Sequence, residues 1–202
     1  MLVELEPGEH LNYHLLAPLQ AQVGDLDGYR ETCLRAEVQF RETKDPNTAD
    51  RLAKDSFLLP EAGGELLVAG AWAATAVSQG KDSRDLPWFQ VTRSLAEYRQ
   101  GHSVAAVDWA QQALSNAGDD LRRDVEAYAV LAMAQHRSNQ AEEARAALAK
   151  GVELAEKRLP KLDSADLGDG WADWLIGHIL MREAQGLIEG QTDLLSNQSK
   201  GR

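Results

Sequence analysis

A lone cysteine, Cys33, among 202 residues excludes an internal disulfide. It sits in an amphipathic run, Tyr29-Arg30-Glu31-Thr32-Cys33-Leu34, where a small apolar side chain suits a core. A reducing, cytoplasmic compartment is the expectation. Long apolar runs are missing as well. None approaches the ~18 residues of a membrane span, and no basic patch followed by an apolar stretch opens the chain, so neither a membrane-inserted segment nor a signal peptide is expected. Basic charge is also in deficit: 21 Lys and Arg against 32 Asp and Glu leave a net charge of -11. A general nucleic-acid binder needs a basic footprint for the phosphate backbone, so nucleic acid is excluded as a partner. Strand formers are thin. Ala, Leu, Glu and Gln instead fill long periodic stretches, and the 44% of hydrophobic residues suffices for one helical core or a stack of helix pairs.

Helical periodicity begins near Leu11, pauses at Val23-Gly24-Asp25 and resumes from Leu26, where Tyr29, Cys33, Ala36, Val38 and Phe40 form an apolar stripe. At Asp45-Pro46 the signal is a helix start, because Asp caps exposed N–H groups and Pro at the first position loses no hydrogen bond. The apolar run Leu67 to Val77 predicts a helix buried on most sides. Helix pairs are predicted at about 10–41, 46–79, 87–115 and 123–157, with a C-terminal capping helix at 171–188. Residues 1–190 read as a single helical-repeat domain and 191–202 as a flexible tail.

The tight turns recur. Gly24, Gly63, Gly101 and Asn139 fall at intervals of 39, 38 and 38 residues. Five positions after each stand Tyr29, Val68, Ala106 and Ala144, and twelve after each stand Ala36, Thr75, Ala113 and Gly151. Mostly small residues at fixed offsets let paired helices approach closely, and Gly or Asn tolerates the left-handed backbone of a helix end.

Two of these units resemble the tetratricopeptide repeat. The likeness rests on Trp88, Ala96, Tyr98, Gly101, Ala106, Ala113 and Leu114 in one, and on Tyr128, Leu131, Ala132, Asn139, Ala144, Leu148 and Gly151 in the next. The sequence departs from that family at Asn139, where Gly is preferred, at Gly151, where Ala is preferred, and in the length of its repeat. From Leu16 to Leu187 the chain is also similar to an uncharacterised bacterial helical-repeat module found beside protein-kinase or other signalling domains in planctomycete-type bacteria. The phrases that match are Leu16-Ala17-Pro18-Leu19, Gly28-Tyr29-Arg30, Thr43-Lys44-Asp45-Pro46, Leu131 to Arg137 and Trp171 to Glu183. These resemblances imply an all-α, right-handed superhelix of about four hairpins, a binding role within a larger signalling protein, and no catalytic residues.

The residues themselves nominate no chemistry. His10 and His14 stand one helical turn apart, as metal ligands can, but lack a third ligand and the Glu of metalloprotease chemistry. Asp163, Asp166 and Asp169 are spaced by three rather than by the two of a calcium loop. Neither Gly63-Gly64 nor Gly168-Asp169-Gly170 has the Lys of a phosphate-binding loop. No cofactor, metal or catalytic residue is expected, and Trp72, Trp171 and Trp174 read as packing anchors.

What remains is a surface. In tetratricopeptide stacks the first helix of each pair lines a concave groove suited to a peptide. Carried over on that resemblance, the groove residues are Trp88, Val91, Leu95, Tyr98, Arg99, Met133, His136 and Arg137, together with Glu126 and Ala129. Arg99 and Arg137 recur at one repeat position and could hold an acidic segment, or could brace neighbouring repeats by pairing with Glu or Asp. The expected function is an adaptor binding a polypeptide. The alternative is a structural or homodimerising domain, with an enzyme or metal-binding domain behind it.

Overall fold

Gly24, Gly101 and Asn139 close three helix-to-helix links with the same two backbone bonds in the computed structural model of the chain. All three have positive φ, 79°, 88° and 60°. Gly24 N–H donates to Ala21 and Asp25 N–H to Gln20; Gly101 and His102 donate to Tyr98 and Glu97; Asn139 and Gln140 donate to His136 and Gln135. This double bond pattern satisfies the last carbonyls of a helix and requires a left-handed residue at the turn, so the recurring turns at these three places are structurally equivalent. The fourth, Gly63, lies outside the residues the structure describes, which are 2–61, 64–115, 120–158, 160–161 and 168–190.

Those residues form ten helices and no strand: α1 (Leu2–Leu5), α2 (His10–Val23), α3 (Leu26–Phe40), α4 (Pro46–Phe57), α5 (Leu66–Gln79), α6 (Leu86–Arg99), α7 (Ser103–Leu114), α8 (Leu121–Arg137), α9 (Ala141–Arg158) and α10 (Trp171–Glu189). The tail at 191–202 lies outside the described residues. Helices α2 and α3, α4 and α5, α6 and α7, and α8 and α9 pack as successive pairs, and the first members neighbour one another in the order α2, α4, α6, α8. At the start of α4 the capping signal is realised, with Asp45 accepting from Thr48 N–H at 2.7 Å ahead of Pro46. Ala36, Ala106, Ala113 and Ala144, from the small-residue offsets, are all buried where helices meet.

The terminal helix does more than cover the last pair. It packs on α8 and α9 and also reaches back to α2. Trp174, Leu175, Ile176, Ile179, Leu180 and Met181 of α10 are buried. At roughly 1.5–3 kcal/mol for each large apolar side chain, that face contributes on the order of 10 kcal/mol, comparable to the whole stability of a typical domain. Helix α10 is therefore part of the core. It also explains the departure at Gly151, because a Cβ there would stand 2.4 Å from Met181 Cε and 3.1 Å from Tyr128 Cβ. The position is glycine because α10 presses onto it.

Candidate functional site

The first helices adjoin in the order α2, α4, α6, α8, and α10 packs on α2 and α8 and reaches α4 and α6 through Asp173 on Lys54 and Glu183 on Arg99. Of the residues predicted to line an open groove, Val91 packs with Ala113 and Ala127 in a small cluster of its own. Leu95 and Met133 lie in the main core, 1% and 0% exposed. Tyr98 is buried under the guanidinium of Arg137, whose Cζ stands 4.2 Å from the ring centre, while Arg137 Nη1 donates to Tyr98 O at 2.8 Å. Arg99 donates to the carbonyls of Phe57 and Leu58 at 2.8 and 2.9 Å, and through both Nη1 and Nη2 to Glu183 of α10. Trp88 is half-buried; His136 and Arg137 are exposed. Arg99 and Arg137 thus differ in their hydrogen-bond acceptors, Arg99 holding α10 and the end of α4 and Arg137 the Tyr98 carbonyl, while both guanidinium groups face the Tyr98 ring, at 5.4 and 4.2 Å.

Beneath the N-terminal half of α10 is a pocket of charges. Lys54 of α4, 1% exposed, places Nζ 3.1 Å from Glu126 Oε2 of α8, 4.0 Å from Asp173 Oδ1 of α10 and 4.4 Å from the Trp88 ring centre. His14 of α2 stands between two carboxylates, 3.0 Å from Asp55 Oδ1 and 3.6 Å from Asp173 Oδ1. Asp50 is buried in the same place. Four helices therefore converge on Asp173 or its partners. At the rim, Arg122 donates to Asp120 and to the carbonyl of Asp169, and fills the space where a Cβ on Gly170 would lie. The segment entering α10 is fixed to α8 by that guanidinium.

Burial opposes the charge of His14, but Asp55 and Asp173 outweigh it and hold the imidazolium, with its pKa pushed up to about 10. Asp173 is likewise opposed by burial, yet the nearby His14 imidazolium and the charge of Lys54 bring it down to about 2. Lys54 is raised, because Glu126, Asp50 and Asp173 overcome its burial. Glu126 moves the other way from an ordinary paired carboxylate. Its burial exceeds the attraction of Lys54, with Asp173 and Asp50 adding repulsion, and it is raised to about 8.

This pocket escaped the sequence reading, although a signal for it exists. Asp50, Trp88 and Glu126 recur at intervals of 38 residues, the same register that links Arg99 and Arg137, and all three contribute to the pocket. The metal candidates are otherwise engaged: His10 accepts from Arg51 Nη1 at 2.7 Å, and His14 belongs to the charged pocket. Among the described residues no group of three or more His, Cys, Asp or Glu could hold a metal ion. Asp163 and Asp166 lie outside the described residues, and the Asp169 carbonyl is an acceptor for Arg122. No helix of the described residues is long and apolar enough to cross a membrane. No protein-family model matches the chain, nor does any curated protein.

Proposed function

We propose that the chain is a cytoplasmic protein-interaction module, a tetratricopeptide-like stack with right-handed curvature that serves as an adaptor or regulatory element of a larger signalling protein. The observation that supports this reading is α10 itself, a helix packed on α2 and α8 and tied to the first helices by Asp173 on His14 and Lys54, and by Glu183 on Arg99. A face that accommodates a helix through an apolar stripe and flanking carboxylates is the surface helix-in-groove recognition uses. Here its occupant belongs to the same chain. A partner polypeptide then meets the rim, where His136 and Arg137 are exposed and Arg137 shares the Tyr98 ring with Arg99. Testing this requires a His136→Glu, Arg137→Glu variant that keeps its helical circular dichroism, compared with wild type in cross-linking and calorimetric titration against the captured partner. Loss of most affinity supports the rim as the binding surface; unchanged affinity rejects it.

A second reading, self-association, has its own observation. Leu34 and Val38 of α3 are exposed, Val38 by 85%, and with Val3, Pro7 and Tyr13 they line an open surface depression of about 630 Å³ edged by Glu4, Glu31, Arg35 and Gln39. Light scattering over a concentration series distinguishes the two: a mass of two chains that Val38→Glu returns to one favours the dimer.

A further inference from the structure

The pocket under α10 holds four carboxylates, Asp50, Asp55, Glu126 and Asp173, against two enclosed cations, His14 and Lys54. Glu126 is the deepest of the four, with no exposed surface. Neither of its carboxyl oxygens accepts a hydrogen bond from the described residues, although Lys54 Nζ is 3.1 Å away. The groups facing it are known from each side. Lys54 and Asp50 face it from α4 and Asp173 from α10, while His14 of α2 faces Asp173 in turn. Arg122 adds its charge from one turn earlier on α8 itself, and α6 contributes the Trp88 ring against Lys54. Helix α10 also passes close over Glu126, since a Cβ at Gly177 would stand 3.8 Å from Glu126 Cγ. A fully ionised pocket would carry an excess of negative charge that the apolar surroundings could not solvate.

We infer that Glu126 is a proton-operated latch for α10: as a neutral acid it lets α10 lie down over α8, and on ionisation it loosens that helix. Releasing the proton adds a carboxylate to a pocket in which Lys54 already answers Asp173 and Asp50, and α10 is the element whose departure lets water reach the excess charge. The direction agrees with the raised carboxyl described above. A group that holds its proton longer in the folded state than in the unfolded one stabilises the fold at low pH and loses that contribution as pH rises through its folded pKa. The inference requires no partner and is independent of what binds the rim.

Hydrogen exchange of the peptide covering Trp171 to Glu189, corrected for the intrinsic pH dependence of exchange, tests it between pH 5 and 6.5, below the range in which a free histidine finishes losing its proton. In the wild type, protection of α10 should fall severalfold per pH unit, and more than protection of α5, which lies away from the pocket. Glu126→Gln, neutral and of the same shape, should leave most of the protection and remove most of that slope. An undiminished slope in this variant, or equal slopes in α5 and α10 of the wild type, would overturn the latch. If the variant does not fold, the wild type decides: carbon-13 labelling of glutamate carboxyls should reveal one that titrates above pH 6.5 and persists in Glu37→Gln, the other glutamate raised by burial. Titration of every remaining glutamate below about pH 5 sinks the proposal.

Discussion

Arg99 and Glu183, separated by 84 positions, are joined through both nitrogens of the guanidinium fork, the Nη2 contact being 2.6 Å. The same guanidinium holds the carbonyls of Phe57 and Leu58, so one side chain ties α6, the end of α4 and α10 together. Both charges are largely removed from water, with side-chain exposures of 6% and 16%. Removing only the carboxylate leaves a buried cation unanswered. Glu183→Ala is therefore expected to cost about 3 kcal/mol, read from the shift of the urea midpoint at constant m-value. Replacing both partners by apolar residues, as in Arg99→Met with Glu183→Leu, should cost much less than the single change.

The His14 imidazolium gives the molecule an alkaline limit. Its pKa is raised from 6.5 to about 10 by Asp55 and Asp173 against its burial. The stabilisation is thus complete below pH 6.5 and is lost as pH rises through 10. The unfolding free energy from urea titrations at pH 8 and 9 should fall, at most by about 1.4 kcal/mol per pH unit. His14→Gln should be less stable at pH 7 yet show a flatter slope across that window. An equal slope would mean that the imidazole is not the linked group.

Acid should act through Asp173 in the opposite sense. Its folded pKa is lowered to about 2 by His14 and Lys54 despite burial, so its contribution is present above about pH 4 and disappears as pH falls through 2. Asp173→Asn should lose stability at pH 6 and depend less on pH between 4 and 2, measured by thermal melts in matched salt.

Gly151→Ala tests the contact that sets α10 on α9 and α8. A new methyl would meet Met181 Cε at 2.4 Å and Tyr128 Cβ at 3.1 Å. The methionine end can move, whereas the tyrosine Cβ is tied to the α8 backbone, so a cost of about 1–3 kcal/mol is expected. Measured against Met181→Ala alone in a double-mutant cycle, less than half of the Gly151→Ala cost should disappear, because Tyr128 remains. Full recovery would place the strain on Met181 alone.

Gly101 and Asn139 separate backbone from packing. Gly101 has φ of 88° and open space where a Cβ would lie, so Gly101→Ala should cost about 1–2 kcal/mol through its left-handed backbone alone. Asn139, with φ of 60°, already bears part of that cost, and Asn139→Gly should be neutral or stabilising. Thermal melts of the two single variants decide both.

The features legible in the sequence were the local ones. Helix pairs follow from apolar periodicity, and the links follow from Gly24, Gly101 and Asn139, because a left-handed turn is decided within a few residues. The 38-residue register of Arg99 and Arg137 was visible too, but their partners were not. A long cation reads the same in sequence whether it meets solvent, a ligand or Glu183. Lys54 and Asp173 are not nominated by the sequence, and Glu126 is nominated only as a groove residue, for a related reason: charges in a helix normally indicate a solvated face, and only the arrival of α10 encloses them. Sequence also offered two roles for Arg99 and Arg137, holding an acidic segment or pairing with Glu or Asp across repeats, and where α10 lies beside them depends on contacts across nearly the whole chain.

The return of α10 to α2 also governs how this protein can be made and altered. In an open array each repeat touches only its neighbours, so units can be added or deleted and folding can spread from any of them. Here the ring of contacts from α2 through α8 to α10 is closed. During translation His14, Lys54 and Asp55 leave the ribosome long before Asp173 does, and the early helices carry charges that cannot be sequestered until α10 arrives. Inserting or removing one pair would displace Asp173 from His14 and Glu183 from Arg99 together, so the number of pairs cannot change while both contacts are kept.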